Sequence, residues 1–170
     1  SFDTHADIPD YFEAVDLVSK PNGTTSLISV GWDPGLFSIN RLFGEAVLSE
    51  GTTYTFWGKG LSQGHSAAVR RVPGVKGAVQ YTIPNAEAVD KVRSGSLPEL
   101  TTREQHTREC YVVLDEGANA EEVEQAILTM PNYFTNHEPT VTFISEYTLK
   151  RNHATMPPGG SAFRSDKTAK

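Results

Sequence analysis

The sequence contains a single cysteine and no long apolar run. Cys110 is the one cysteine among 170 residues, so the chain cannot form an internal disulfide, and its composition suits a reducing cytosol. No apolar stretch approaches the roughly 20 residues that a membrane-spanning helix needs. The polar opening segment, residues 1–10, does not have the form of a secretory signal. We therefore expect a cytoplasmic protein with no membrane partner.

Glycine motifs that bind phosphate groups are also missing. Neither G-x-G-x-x-G nor G-x-x-x-x-G-K-[ST] occurs, so nothing in the chain predicts a cradle for a pyrophosphate. The five histidines are scattered, and with one cysteine a zinc site is not expected. By chemistry alone, these absences favour a domain for ligand binding or dimerisation over a complete enzyme.

The charge balance is acidic. A net charge of −6 argues against non-specific binding to nucleic acid, which needs a basic face, so no nucleic-acid partner is expected. It does not exclude an anionic substrate, because one or two arginines can hold a dicarboxylic amino acid inside an acidic protein. With 38% hydrophobic and 21% charged residues, the composition is that of an ordinary globular domain.

Apolar periodicity and turn residues predict alternating strands and helices. Strands are predicted over residues 25–30, 52–57, 75–83, 104–115 and 139–149, and helices over about 7–20, 36–49, 66–71, 85–92 and 119–130. This order predicts an α/β (α+β) fold with a single mixed sheet of about five to six strands covered by helices. We expect one domain over residues 1–155 and a polar, partly disordered tail with Gly and Pro over residues 156–170.

Two segments that follow predicted strands are candidates for ligand contacts. In residues 31–35, Trp32 and Asp33 lie at the carboxyl end of a strand, where open α/β sheets bind their ligands. Asp33 either accepts hydrogen bonds from an ammonium group or caps the next helix. In residues 58–65, a glycine-rich loop either binds a carboxylate through backbone N–H groups or forms a plain surface turn. Trp57, just before that loop, is either a ligand wall or a core residue.

Other candidates have two readings as well. Asp3 and His5 together suggest acid–base chemistry, or they are simply exposed near the start of the chain. Arg108 either clamps a carboxylate with two hydrogen bonds or forms cross-strand pairs on a solvated strand. Cys110 lies in an alternating strand and is predicted to be a core residue.

Several long segments resemble the family of meso-diaminopimelate dehydrogenases. The most specific are W-D-P-G-x-F-S-x-N-R at residues 32–41 and F-W-G-x-G-L-S-Q-G-H at residues 56–65. Shorter matches are residues 2–9, 70–74, 78–84 and 129–134, and the resemblance runs to about Met156. It implies the non-Rossmann part of an NADP-dependent oxidoreductase, which binds substrate and forms a homodimer. The nucleotide-binding part of such enzymes is expected before Ser1.

The resemblance also implies a role for each candidate. Asp3 and Asp33 would lie beside the D-centre of meso-diaminopimelate and its amino group, with Asp33 as the proton acceptor. Trp32 and Trp57 would line that end of the substrate. Sites for the two carboxylates are implied at Gln63, Gly64, Thr82 and Arg108: the backbone of the first two would hold the D-carboxylate, and the last two the L-carboxylate. NADP would be bound mainly by the missing part.

One position departs from the family pattern. The family commonly has a histidine after Met-Pro, where this sequence has Pro158. After Ser161 the resemblance fades, and an expected downstream asparagine is absent. Dehydrogenation of another amino or hydroxy acid, or a non-catalytic binding module, therefore remains an alternative at this point.

Overall fold

A computed structural model describes residues 8–33, 35–135, 137–153 and 159–165. The chain divides into two compact units, Ser1–Glu50 and Gly51–Lys170. No candidate for a membrane-spanning helix is found among the described residues. The candidates Asp3 and His5, and the departure at Pro158, lie outside the described residues.

The first unit contains two helices, α1 (Ile8–Ser19) and α2 (Leu36–Val47). Gly35 is the N-cap of α2, and its N–H donates to Ser38 Oγ at 2.8 Å. The backbone of Gly35 has φ of 147°, and a Cβ there would overlap the backbone of Gly31, so this turn requires glycine. Within the described part of this unit, Phe37 is the buried apolar residue.

The strand predicted over residues 25–30 is wrong. This segment has no regular secondary structure, and Leu27 is 82% exposed. Its β-rich composition favours extended backbone, but a strand also needs a neighbour to satisfy its N–H and C=O groups. No strand is described elsewhere in the first unit that could serve as that neighbour.

The second unit contains the strands, and they form two sheets. The larger sheet has the order β2 (Gly60–Leu61), β3 (Val75–Pro84), β4 (His106–Leu114), β5 (Thr140–Phe143). Its first three strands are antiparallel, and β5 runs parallel to β4. The smaller sheet pairs β1 (Thr52–Trp57) with β6 (Gly160–Ser165) in antiparallel register. The mixed α/β class is therefore confirmed, although the strands are divided between sheets of four and two and do not form one sheet.

Helices of the second unit connect and cover these strands. They are α3 (Gln63–Arg70), α4 (Ala86–Arg93), α5 (Thr102–Gln105), α6 (Ala120–Leu128) and α7 (Glu146–Asn152). The strand predicted over residues 139–149 ends at Phe143, because Ser145 begins α7: its side chain accepts the N–H of Thr148 at 3.1 Å. The pattern of the sequence did not predict α7.

The segment predicted as a polar tail contains β6. Gly160–Ser165 pairs along its whole length with β1, so partial disorder is not found for these residues. The division into a domain of residues 1–155 and a tail of residues 156–170 otherwise remains a prediction.

One face of the larger sheet changes from apolar to polar along its length. Residues paired in register across antiparallel strands have side chains on the same face, and β3–β4 pairs Ala78 with Val112, and Thr82 with Arg108. The Val112 end of this face belongs to the main core, whose buried members are Val69, Val72, Val75, Ala78, Cys110, Val112, Val123, Ile127 and Phe134. The other end presents polar side chains, and most of the candidate residues of the second unit lie there.

Candidate functional site

Asp33 is paired with an arginine eight residues later. Arg41 Nη1 and Nη2 donate to Asp33 Oδ2 and Oδ1 at 3.0 and 2.8 Å, which is a bidentate ion pair. Both side chains are mostly buried, with 17% of Asp33 and 23% of Arg41 exposed. The alternative in which Asp33 caps α2 is excluded, because Gly35 holds that position. Asp33 is thus held as an oriented carboxylate.

Trp32 belongs to the same local group. Its ring stacks on Phe37 with centroids 4.8 Å apart, and the Arg41 guanidinium lies 5.1 Å from the Phe37 centroid. The Phe37 N–H donates to the Trp32 carbonyl at 2.9 Å. Trp32 remains 41% exposed, so a large aromatic surface is available beside the Asp33–Arg41 pair. Arg41 was not among the predicted site residues, although it is the last residue of the W-D-P-G-x-F-S-x-N-R segment.

Trp57 ends β1 and is half-buried, between the two predicted alternatives of core residue and ligand wall. Its backbone N–H donates to His106 Nε2 at 2.8 Å. The next residue, Gly58, donates its N–H to the Gly159 carbonyl at 2.7 Å. Gly58 has φ of 95°, and a Cβ there would overlap the Thr82 carbonyl oxygen. The backbone after Trp57 is therefore packed directly on β3 and requires glycine.

Gln63 and Gly64 form the first turn of α3. Ser62 is the N-cap, but its side chain makes no capping hydrogen bond to the backbone N–H groups of the first turn. The Ser62 N–H donates to the Gln80 carbonyl at 2.9 Å, which fixes this turn against β3. Unpaired N–H groups at a helix start attract anions such as a carboxylate.

Residues 60–64 also match the pattern G-x-S-x-G, whose serine is the nucleophile in α/β-hydrolases. A nucleophile elbow requires a strained turn, whereas Ser62 has ordinary extended backbone with φ of −92° and ψ of 111°. Its Oγ lies 2.8 Å from Nδ1 of His65, three residues later, which is a local contact. The geometry does not favour a hydrolase.

Thr82 is 6% exposed and lies on the polar end of the sheet face. Gln80 Nε2 donates to Thr82 Oγ1 at 3.3 Å and to the Tyr81 carbonyl at 2.7 Å. The Gln80 backbone N–H donates to Ser66 Oγ at 2.8 Å, which ties this strand to α3. The hydrogen bond from Gln80 Nε2 therefore helps to orient the Thr82 hydroxyl.

Arg108 is partly buried and directly opposite Thr82. Its Nη1 donates to the Tyr133 carbonyl at 3.0 Å, and its guanidinium lies 5.9 Å from the Phe134 centroid. Among the described residues, neither its buried Nε nor the buried Nδ1 of His137 has a hydrogen-bond partner. A buried N–H of a cation is costly to leave unpaired, so the hydrogen-bonding capacity of Arg108 is not fully used in the part of the chain that the structure describes. The structure does not favour the alternative in which Arg108 is solvated and forms cross-strand pairs.

Burial shifts the pKa values of the groups around Arg108. Burial lowers the pKa of Arg108 to about 10, so it stays charged at neutral pH. Burial, with the charges of Arg108 and His137, lowers the pKa of His106 to about 4. Burial and the charges of Arg108 and Arg103 lower the pKa of His137. Of Arg108, His106 and His137, the arginine is therefore the one that carries a positive charge at neutral pH.

Cys110 is fully buried in the main core, as predicted. Burial raises the pKa of its thiol to about 12. Since the thiolate is the reactive form, this residue has no role as a nucleophile.

The structure brings Trp57, Gln63, Gly64, Thr82 and Arg108 together at one end of the second unit, through the bonds of the 58–64 loop to β3 and the Thr82–Arg108 pair. Trp32 and Asp33 belong to the first unit. Asp3 lies outside the described residues.

The model of the diaminopimelic acid dehydrogenase C-terminal domain matches residues 31–170. The chain belongs to this family. The resemblance found in the sequence is thereby confirmed.

Known relatives match almost the whole of this chain. The meso-diaminopimelate D-dehydrogenase of Ureibacillus thermosphaericus is 64% identical over 168 residues, 99% of this chain and 52% of that protein. A solved structure of the Corynebacterium glutamicum DAP dehydrogenase in complex with DAP is 47% identical, with a TM-score of 0.81, over 98% of this chain and 52% of that one. An engineered D-amino acid dehydrogenase bound to NADP+ is 45% identical with a TM-score of 0.78, over the same shares. The chain thus spans about half the length of these relatives.

Proposed function

We propose that this chain is the substrate-binding part of an NADP-dependent meso-diaminopimelate D-dehydrogenase. The enzyme would oxidatively deaminate the D-centre of meso-2,6-diaminopimelate to L-2-amino-6-oxopimelate and release ammonia. The observation that carries the proposal is Arg108, a partly buried cation that lies opposite Thr82 and whose Nε has no hydrogen-bond partner among the described residues. Family membership and the DAP-bound relative support the same substrate.

The L-carboxylate is assigned to Arg108 and Thr82. Arginine binds carboxylates with two parallel hydrogen bonds, and Arg108 Nε, which has no partner among the described residues, would donate one of them. The Thr82 hydroxyl beside it adds a further donor. The first turn of α3 at Gln63 and Gly64 offers backbone N–H groups to the D-carboxylate. Fixing both ends of the substrate at once is what selects one stereoisomer of a nearly symmetric molecule.

The D-centre and its amino group are assigned to aromatic and acidic residues. Trp57 would exclude water at this end of the substrate. Trp32 would do the same beside Asp33, whose carboxylate would accept the ammonium proton while Arg41 holds it in place. The role proposed for Asp3 lies outside the described residues. If Asp33→Asn left turnover unchanged, Asp33 would not be the proton acceptor.

NADP is assigned to the part of the enzyme that this chain does not contain. In this chain, the glycine-rich loop 58–64 is folded onto β3 through Gly58 and Ser62, so it does not offer an open cradle for a pyrophosphate. When bound, the nicotinamide would accept the hydride from the D-centre. The NADP+-bound relative supports the choice of cofactor. The chain alone is accordingly expected to be inactive.

A cytoplasmic homodimer in diaminopimelate and lysine biosynthesis completes the proposal. The buried single cysteine suits a reducing compartment. Sedimentation of the chain at micromolar concentration tests the dimer, and a single monomeric species would count against it.

The decisive experiment measures NADP+ reduction by the longer protein that contains this chain. The substrates are the meso, LL and DD isomers of diaminopimelate. Turnover of the meso isomer alone is expected, since only that isomer places a D-centre at one end and an L-centre at the other. Turnover of simple D-amino acids instead would favour the alternative substrate class, for which the engineered D-amino acid dehydrogenase is a precedent in the same fold.

A pair of arginine variants tests the carboxylate site itself. Arg108→Gln is expected to raise KM for the meso isomer by about tenfold or more, because a charged hydrogen bond to a carboxylate contributes about 1.5–3 kcal/mol. Arg103→Gln is the matched control, since Arg103 is exposed and pairs with Glu138 on the surface. Its KM is expected to stay within about twofold of wild type. Equal effects of the two substitutions would contradict the assignment.

A further inference from the structure

His106 lies where the two sheets of the second unit meet. It is the first residue of β4 in the larger sheet, and it is 6% exposed. Its Nε2 accepts the backbone N–H of Trp57, the last residue of β1 in the smaller sheet, at 2.8 Å. This single hydrogen bond joins positions 49 residues apart in sequence and belonging to different sheets.

The bond fixes the point from which the Trp57 side chain projects. On the carboxyl side of Trp57, the backbone is already held by the Gly58 N–H bond to Gly159 and by the close packing of Gly58 on Thr82. On the amino side, the bond to His106 holds the Trp57 N–H itself. The peptide groups on both sides of the indole are therefore anchored, and only one of these anchors is a side chain.

The acceptor role requires one form of the imidazole. Nε2 must be unprotonated to accept an N–H, so the remaining proton is on Nδ1. Burial lowers the pKa of His106 to about 4, which keeps the ring neutral at physiological pH. The ring is also packed against Phe56, with centroids 5.9 Å apart, so its orientation is constrained.

We infer that His106 is a positioning residue: it holds the backbone of Trp57, and through it the indole that lines the D-end of the substrate. The inference rests on the proposed function, because the contact of Trp57 with substrate is itself a proposal. His106 acts through Trp57 and carries no charge or proton in the reaction.

Nuclear magnetic resonance on the ¹⁵N-labelled chain tests the bond without any substrate. An N–H···N hydrogen bond transmits a scalar coupling between its two nitrogens, so a coupling between the Trp57 amide and His106 Nε2 is expected. His106→Leu should abolish this coupling and shift the Trp57 amide and indole signals. Absence of the coupling in wild type, with Trp57 signals unmoved by His106→Leu, would overturn the inference.

Kinetics of the longer protein test the consequence. His106→Leu removes the acceptor, and kcat/KM for meso-diaminopimelate is expected to fall by about tenfold or more, since small displacements of positioning groups have large effects on rate. His106→Gln restores an acceptor oxygen near the position of Nε2 and should recover activity to within about threefold of wild type. Recovery by the conservative variant separates positioning from a general structural defect.

A matched control lies on the same strand. Tyr54 lies three residues before Trp57. Tyr54→Phe removes the hydrogen bond from Tyr54 Oη to the Pro98 carbonyl and leaves the Trp57 N–H bond in place. Its kcat/KM is expected within about twofold of wild type. Full activity of His106→Leu, or equal losses in the Leu and Gln variants, would overturn the inference. If wild type turned over no isomer, the proposed function would fail, whereas the nitrogen coupling would still decide the role of His106.

Discussion

His106, His137 and His153 share a direction of pKa shift and its main cause. All three have pKa values below the ordinary 6.5, and burial is the largest contribution in each case. The bonds of two of them are compatible with neutral rings: His106 accepts from Trp57, and His153 Nδ1 lies 2.9 Å from Tyr81 Oη. Protonating them in the folded state is unfavourable, whereas in the unfolded chain they protonate freely.

This difference predicts a loss of stability in mild acid. Between pH 6.5 and about pH 4 the unfolded state binds more protons at His106 than the folded state does, so the free energy of unfolding falls as the pH is lowered. For His106 alone the loss is on the order of 2 kcal/mol by pH 5, at about 1.4 kcal/mol per pKa unit. Urea denaturation at pH 7.5, 6 and 5 measures it. His106→Gln should show a smaller slope, and identical pH profiles for both proteins would contradict the assignment.

Cys110 and Asp33 differ in how much of their surroundings the sequence alone predicted. Cys110 was predicted to be a core residue from strand alternation, and it is. Asp33 was predicted as a cap or a ligand contact, but its partner is Arg41, at a separation of eight residues. No helical or strand period links those two positions, because Asp33 precedes α2 and only the turn at Gly35 brings the pair together. Such pairing depends on three-dimensional geometry that periodicity does not carry.

At the scale of elements, strands were predictable where side chains alternate toward a core. The Thr52–Trp57 strand was predicted with the bounds that β1 has, and β3 and β4 within two residues at each end. Residues 25–30 have a similar composition and form no strand, because composition says nothing about a pairing partner. β6 is the opposite case, because it was missed although it has a pairing partner. Its sequence is polar, and its regular structure comes from pairing with β1 more than 100 residues earlier.

Phe163 is the side chain by which β6 joins a hydrophobic cluster. It packs against the cluster of Tyr54, Phe56, Ala88 and Val92, and its ring meets Phe56 edge-on at 5.9 Å. Phe163→Ala is expected to lower the free energy of unfolding by about 2 kcal/mol, less than a fully buried phenylalanine would, because Phe163 is only partly buried. Chemical denaturation gives the value. Ala162→Ser, at an exposed position of the same strand, should change it by less than about 0.5 kcal/mol.

At the scale of the whole molecule, the two units differ in how much they bury. The second unit contains both hydrophobic clusters. In the described part of the first unit, Phe37 is buried, while large apolar side chains of α1 and α2 are exposed, namely Phe12, Leu17, Val18, Leu36, Ile39, Leu42, Phe43 and Val47. Burial of apolar surface is the dominant favourable contribution to folding, so the local stabilities of the units should differ.

Hydrogen exchange measures that difference directly. In the 170-residue chain, amides of α1 and α2 are expected to exchange at least about tenfold faster than those of β3 and β4, because local opening costs less where little is buried. The matched measurement is the longer protein. If the rest of that protein covers the exposed side chains of α1 and α2, their amides should become protected while those of β3 and β4 change little. Equal protection of both units in the 170-residue chain would contradict the expectation.

The pairing of β1 with β6 sets an order of events during synthesis. Thr53 and Arg164, joined by a side-chain hydrogen bond in the finished protein, are 111 residues apart. At about 5–20 residues per second, the ribosome needs roughly 5–20 seconds between making one and making the other. Throughout that interval β1 is present in the nascent chain without β6, so the edge that β6 will cover is open. We expect ribosome-associated chaperones to bind the chain during this interval and not after the protein has matured. Truncated translation products are expected to aggregate for the same reason, through the open strand edge.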